Sequence, residues 1–197
     1  MMKRLFDIVA SLATLLVLSP ILLIIAIVVA LGSPGGAFFR QVRVGRDGRE
    51  FLLLKFRSMR QGSEALGQIT VGQRDPRITG VGHFLRSSKL DELPQLINIL
   101  RGDMSLVGPR PEVPRYVALY TPEQRQVLSV RPGLTSLASI AYINENEVLG
   151  NSADPERTYR EVVMPAKLAL DMRYVRERSL LLDLRIIGST AGRLLNR

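Results

Sequence analysis

Residues 86–101 read RSSKLDELPQLINILR, and the fold depends on how this stretch is read. Leu90, Leu93, Leu96, Ile97 and Leu100 recur at three- and four-residue spacing, so one face of a helix belongs to a core. Pro94 has no N–H to donate and fits only a first turn, which sets the helix start close to Asp91. Gly102 is the natural C-terminal stop. The start then carries two adjacent carboxylates, Asp91 and Glu92, with Arg86 and Lys89 just before them. Taken alone, the pair reads first as an N-cap and a first-turn acid facing the helix dipole. A catalytic pair is the alternative.

Composition narrows the chemistry. The chain has 197 residues, enough for one domain with a real core. It contains no Cys, which excludes disulfides, thiolate catalysis and Cys-based metal sites. Its one His, His83, argues against a His-based zinc site or a Ser-His-Asp triad, and reads as a local surface or packing residue. Carboxylates, Lys and Arg, hydroxyls or a hard oxygen-bound metal are left. A net charge of +9 calls for anionic partners: phosphorylated substrates, anionic lipid or nucleic acid.

Residues 8–31 are almost wholly apolar, interrupted by Ser11, Thr14, Ser19 and Pro20. As one helix they would reach about 36 Å, enough for a bilayer core of roughly 30 Å. Pro20 sits near the middle, where its ring clashes with the Leu16 carbonyl, and Ser19 is placed to satisfy the freed backbone. Basic residues flank both ends: Lys3 and Arg4 before, Arg40, Arg43, Arg46 and Arg49 after. A helix spanning the membrane would break the positive-inside rule at one end. A re-entrant helix that bends at Ser19-Pro20 and leaves by the face it entered satisfies the rule at both. That is the preferred reading, with a proline-kinked span as the alternative.

Beyond the breaker cluster at 32–36, segments 38–44 and 50–56 flank the turn Gly45-Arg46-Asp47-Gly48 and predict a β-hairpin. Lys55 and Arg57 would share one face of the extended chain, with Phe56 on the other. Residues 61–72 read as a mobile polar loop, and 75–79 as a turn. Residues 108–114 hold three prolines in six positions (109–114), so they form a rigid extended loop that fixes the direction of Arg110. A stiffened Arg near a carboxylate pair suits bidentate phosphate recognition. Arg131-Pro132-Gly133 offers another Arg in a tight turn. Further on, 113–130 predicts a helix interrupted at Thr121-Pro122, 155–178 a helix bent or divided at Pro165, and 179–195 a helix with a Leu/Ile-rich face. The last two suit either a core or an anionic leaflet.

At this point the residues resemble a known family, the monotopic phosphoglycosyl transferases or bacterial sugar transferases. The matching stretches are FFRQVRVGRDGREFLLLKFRSM (38–59), DPRITGVGHFLRSSKLDELPQLINILRGDMSLVGPRPE (75–112), VRPGLT (130–135) and the SLLLDLRII run (179–187), with the Ser-Pro of the N-terminal segment. The resemblance implies a membrane-associated α/β fold: a re-entrant anchor over residues 1–34, then a catalytic domain over 35–197. In that domain a small β-hairpin and several amphipathic helices surround the carboxylate-bearing helix. It further implies transfer of a sugar-1-phosphate from a UDP-sugar to polyprenol phosphate, usually undecaprenyl phosphate. UMP is released, and glycoconjugate or polysaccharide assembly begins. By the same resemblance Asp91 is the nucleophile of a covalent phosphosugar intermediate, and Mg2+ is the cofactor; Asp91 and Glu92 are the candidate ligands, with orientation of Asp91 as the other role for Glu92. Lys55, Arg86, Arg110 and Arg131 would bind substrate phosphates. Direct attack by the lipid phosphate, with Asp91 only holding metal, is the alternative mechanism. The implied site is the cytoplasmic face of the bacterial inner membrane, on an anionic phospholipid surface. Oligomeric state is open, a homo-oligomer included. No recognisable nucleic-acid-binding motif accompanies the charge. One stretch departs from the family pattern: after Gly133 many members read Ile-Thr-Gly-Trp-Ala-Gln, whereas residues 134–139 here read LTSLAS. The departure bears on the sugar, not on the reaction.

Overall fold

The structure, a computed structural model, describes residues 2–63 and 75–195. Most of the loop expected at 61–72 lies outside the described residues. Helix α1, Met2–Gly32, runs without interruption in its assignment through Pro20. The Leu16 carbonyl, which Pro20 cannot serve, accepts instead from the Ser19 hydroxyl at 2.8 Å. The apolar middle of α1 stays uncovered: Leu12, Leu16, Val17, Leu23, Ile24 and Val28 are all exposed. Both halves of α1 nonetheless rest on the same body. Near its start Lys3 reaches the buried Asp183 at 2.5 Å. Arg4 caps the carbonyls of Ile99 and Leu100, and buried Asp7 accepts from the Ser105 hydroxyl and the Leu106 N–H. Near its end Ile25 and Val29 pack on Phe56 and Leu85.

The hairpin forms as the sequence predicts. Strands β1, Phe38–Val44, and β2, Glu50–Phe56, pair antiparallel with Phe39 opposite Lys55. The connection at 45–48 is a 3₁₀ turn with Asp47 and Gly48 at positive φ. Helix α2, Gly80–Ser87, starts at Thr79, whose hydroxyl accepts from the Gly82 N–H. Its Gly82 lies so close to the hairpin exit that a Cβ there would meet the Ser58 carbonyl oxygen at 2.0 Å.

The central helix differs from the expectation at its start. Residues Leu90–Glu92 form a separate 3₁₀ turn, and helix α3 is Gln95–Arg101 with Pro94 as its N-cap residue and Gly102 left-handed at its end. Asp91 therefore caps no helix. The buried face also shifts: Leu96 and Ile99 are the covered apolar residues, beside Gln95 and Asn98, while Ile97 is only half-buried. Asn98 explains the shift. Its side-chain amide donates to the Leu52 carbonyl and accepts from the Leu54 N–H, so a helix side chain continues the β2 ladder and fixes α3 to the hairpin. Leu53, Leu96, Ile99 and Met104 fill the space between them.

A second sheet, too short to be read from periodicity, joins β3, Ser105–Val107, and β4, Gly133–Thr135, in parallel. Its backbones cross closely at two glycines: a Cβ on Gly133 would lie 2.1 Å from Gly108 N, and one on Gly108 would lie 2.5 Å from the Arg131 carbonyl oxygen. This crossing launches the proline loop, whose Glu112 bridges to Val44 at the end of β1. The predicted helix over 113–130 shrinks to α4, Pro114–Val117, and a 3₁₀ segment, Gln124–Ser129. Glu123 stands at the start of that segment, and just before it the Thr121 hydroxyl accepts from the Gln124 N–H while the Gln124 side chain accepts from the Thr121 N–H.

Helices α5, Leu137–Ala141, and α6, Glu145–Gly150, follow. The division at Pro165 takes a specific form: α7, Pro155–Thr158, passes into a π-helical turn, Tyr159–Val163, before α8, Met164–Glu177. A wider turn relieves the clash between the proline ring and the carbonyl four residues earlier. Helix α9, Leu180–Leu195, covers β3 and β4 through Ile186 and leaves Leu181 and Leu184 exposed. The largest core, around Tyr116, Tyr120, Tyr159, Val163 and Leu168, lies under the proline loop.

Gly133→Ala is expected to lower the melting temperature of the detergent-purified protein by about 5–10 °C, because backbone, not a mobile side chain, must give way. Gly188→Ala, in open space on α9, should leave it unchanged or raise it slightly. Equal melting temperatures for the two variants would refute the close crossing.

Candidate active site

Asp91 owes its position to strain just before it. Lys89 is a non-glycine residue in the left-handed region, φ 59°, and this turn swings the chain from the end of α2 into the 3₁₀ segment. Asp91 is then 5% exposed, yet its Oδ1 has no hydrogen-bond partner among the described residues. A buried, unpaired carboxylate oxygen is costly, and native structures rarely leave one without use. Burial, followed by the neighbouring Glu92 charge, pushes the Asp91 carboxyl up to about 6, against the pull of Lys55, Arg86 and Lys89.

Glu92 has the opposite environment. Burial alone would raise its pKa, but the Arg110 guanidinium engages both its oxygens, at 2.6 and 3.3 Å, and with Lys89 and Lys55 holds it well below the usual carboxylate range. The proline loop thus aims Arg110 as expected, but its first partner is Glu92. The Arg110 side chain is still 37% exposed, and it lines the same cleft as Asp91. Two adjacent carboxylates therefore separate into one fixed anion and one more basic, unpartnered carboxylate.

Lys55 and Arg57 do share a face, both lying over the Phe39 ring at 5.3 and 5.7 Å. They then part in role. Burial pushes the Lys55 ammonium down to about 8, with Arg43 adding to the shift and Asp91 opposing it. Arg57 is spent on the carbonyls of Gly35, Gly36 and Phe38, which hold the end of α1 to the hairpin.

These groups line one cleft of about 1710 Å³ that includes Lys55, Arg86, Lys89, Asp91, Glu92 and Arg110. Arg131 is not part of its lining. Its Nε donates to the Gly102 carbonyl and serves the end of α3, so the structure gives it a helix-terminating contact. Ser19 and Pro20 stand apart on α1. His83 is exposed at the rim of the cleft.

Arg43 was not singled out for the site by sequence reasoning, although its charge was noted. It is bound by Gln41, by the Pro111 carbonyl and by Glu112 at 3.1 Å. Glu112 also accepts from the Tyr159 hydroxyl and the Val113 N–H. The strand alternation places Gln41 and Arg43 on the face of Phe39 and Lys55, which was the available signal. Asp171 on α8, buried with an unpartnered Oδ1, gave none.

Sequence comparison agrees with this geometry. The chain matches the model of the bacterial sugar transferases over residues 1–197. It is 39% identical over 199 residues to the UDP-glucose:undecaprenyl-phosphate glucose-1-phosphate transferase of Escherichia coli (strain K12), covering 96% of this chain and 39% of that protein. It is 38% identical over 193 residues to the UDP-N-acetylgalactosamine-undecaprenyl-phosphate N-acetylgalactosaminephosphotransferase of Aeromonas hydrophila, covering 95% and 42%. Against the exopolysaccharide production protein PSS of Rhizobium leguminosarum bv. phaseoli, identity is 40% over 196 residues, covering 96% and 92%. The chain thus spans well under half of the first two relatives and nearly all of the third. A match along its whole length, with the Asp-Glu pair set in a cationic cleft, means that this chain belongs to the bacterial sugar transferase family.

Proposed function

We propose that the protein transfers a sugar-1-phosphate from a UDP-sugar to a polyprenol phosphate such as undecaprenyl phosphate, releasing UMP and starting the assembly of a surface polysaccharide. The carrying observation is the Asp91 carboxylate: buried, unpartnered at Oδ1, raised to about 6 and ringed by cations. At neutral pH such a group is mostly ionised yet more basic than an ordinary carboxylate, which suits a nucleophile. An Asp91 oxygen attacks the β-phosphorus of the UDP-sugar, and the bond from that phosphorus to the bridging oxygen breaks. That oxygen leaves on UMP with the electron pair, and the sugar phosphate stays on Asp91 as an acyl phosphate. An oxygen of the polyprenol phosphate then attacks the same phosphorus and frees the carboxylate. Lys55, Arg86 and the exposed side of Arg110 offset the charge of the incoming phosphates, while Glu92 holds Arg110 in place.

Two relatives named for different sugars match at 39% and 38% identity, which supports a shared reaction with a variable donor sugar. Mg2+ is the proposed cofactor. Among the described residues no group of three or more carboxylate, His or Cys ligands forms a ready cage. Mg2+ commonly takes only one or two carboxylates and completes its shell with water and phosphate oxygens, so the open Asp91 oxygen fits it; Glu92, whose two oxygens both accept from Arg110, would add only a remaining lone pair. When bound, the ion neutralises phosphate charge.

The reading also includes a re-entrant α1. Its apolar middle is uncovered over a length that suits a bilayer, while Lys3, Arg4 and Asp7 at one end and Ile25 and Val29 at the other hold the same body. A spanning helix would carry one of those ends to the opposite side. The cleft would then open at headgroup height on the cytoplasmic face of the inner membrane, where a lipid phosphate lies.

UMP release from a panel of UDP-sugars, with polyprenol phosphate and Mg2+, tests the reaction. Asp91→Asn should reduce it at least about a thousandfold, and Arg110→Ala by about a hundredfold to a thousandfold. Chelation should stop it and Mg2+ restore it. Normal turnover by Asp91→Asn would overturn the assignment. Topology has a separate test, made simple by the absence of native Cys. Thiols introduced by Met2→Cys and Gly150→Cys should react with an impermeant reagent from the same side of oriented vesicles. Reaction from opposite sides would establish a span instead.

A further inference from the structure

The cleft at Asp91 has walls of three chemistries. One is cationic and includes Lys55, Arg86 and Lys89. A second, residues 144–147 with Lys167, is made of amides, carboxylates and an ammonium. The third is apolar and belongs to two helices that meet at the Lys3–Asp183 ion pair. From that point α1 presents Phe6, Ala10 and Thr14, each one turn further along, and α9 presents Ile187, Ala191 and Leu194 at the same kind of spacing, with Thr190, its hydroxyl engaged by Thr135 and the Ile186 carbonyl, and Arg193 also in the lining. The two helices are not packed along their lengths, and Leu134 of β4 lines the cleft with them. Small side chains at 10 and 191 keep this channel open. Along the same stripe α1 continues as exposed Val17, Ile21, Ile24 and Val28, part of the surface read above as lying in the bilayer.

We infer that the groove between α1 and α9 holds the isoprenoid tail of the acceptor lipid next to its phosphate, and that Ala10 and Ala191 set which chains enter. The inference rests on the proposed lipid-phosphate acceptor. The acceptor must bring an anionic head to Asp91 and a hydrocarbon tail with it. The cationic and amide walls cannot take hydrocarbon without losing the hydration of their own groups. The apolar wall gains with each methylene it covers, and it alone among the three runs from the cations at Asp91 to the lipid-facing side of α1.

Two measurements test this. In the first, Ala10→Phe and Ala191→Phe are compared with the unmodified protein using undecaprenyl phosphate and the short-chain farnesyl phosphate as acceptors. The ratio of kcat/KM for the long chain to that for the short chain should fall about tenfold, the effect of losing cover on a few methylenes. An unchanged ratio, including an equal loss with both acceptors, overturns the groove. The second needs no turnover. A prenyl phosphate carrying a photoreactive group in its tail should crosslink to peptides covering 6–14 and 187–194. Undecaprenyl phosphate should compete and phosphatidylglycerol should not. Crosslinks elsewhere, or equal competition by the phospholipid (an acyl-chain groove), overturn the inference. A protein that crosslinks as described but releases no UMP from any UDP-sugar would instead contradict the proposed reaction and leave the groove standing.

Discussion

The ion pair between Glu92 and Arg110 decides what the neighbouring Asp91 can be. Two adjacent carboxylates in a shielded site cannot both be ionised cheaply unless one is separately compensated. Arg110 compensates Glu92 with two hydrogen bonds, while burial first and the Glu92 charge second leave Asp91 the more basic carboxylate, its Oδ1 without a partner among the described residues. Much of the fold serves this pairing. The glycine crossing of β3 and β4 launches the proline loop, and the loop's stiffness points Arg110. Arg43, Glu112 and Tyr159 tie the loop's far end to the hairpin and to the π-helical turn ahead of α8. From the other side Asn98 fixes the α3 segment to β2, and so sets the distance between Lys55 and the carboxylates.

A second constraint is the attachment of α1. An uncovered apolar helix of 31 residues would ordinarily be an aggregation hazard in water. Here its two ends are pinned to the domain by chemistry suited to each: a partly buried ion pair at Lys3 with hydrogen bonds at Arg4 and Asp7, and apolar contact at Ile25 and Val29. Polar pins fix orientation as well as position, because a shifted helix would take Asp7 from its partners and leave Asp183 with the Tyr174 hydroxyl but no cation. The same pins bring the N-terminal turns of α1 to the cleft, so this helix also contributes to the walls of the site.

Legibility in the sequence followed the range of the interaction. The hairpin was readable because Gly45 and Gly48 bracket a turn between alternating segments, and the end of α3 because Gly102 is the residue that a left-handed stop favours. The stiffness of 108–114 followed from proline chemistry alone. What Arg110 would bind did not, since Glu92 is 18 residues away and only the folded chain brings them together. Asn98 was hidden inside an apolar stripe, where a polar residue looks like a lapse in the pattern and not a strand partner. The start of the carboxylate helix was misjudged because the left-handed Lys89 has no compositional mark. Arg131 reads as a further phosphate ligand beside Pro132 and Gly133; in the fold its Nε serves the Gly102 carbonyl and it stands outside the lining of the cleft. The site's members were legible as residue types near a motif; their division of labour required tertiary contacts.

The central claim is that the orphaned Asp91 carboxylate carries the sugar phosphate between donor and acceptor. The most direct measurement mixes the protein with a UDP-sugar labelled in its β-phosphate, omits the lipid, quenches in acid and maps the label by peptide mass. The account predicts label on the peptide containing Asp91 together with one equivalent of UMP, and its loss when polyprenol phosphate is added before the quench. No label at any time, with UMP appearing only when both substrates are present, would contradict it and assign the attack to the lipid phosphate itself.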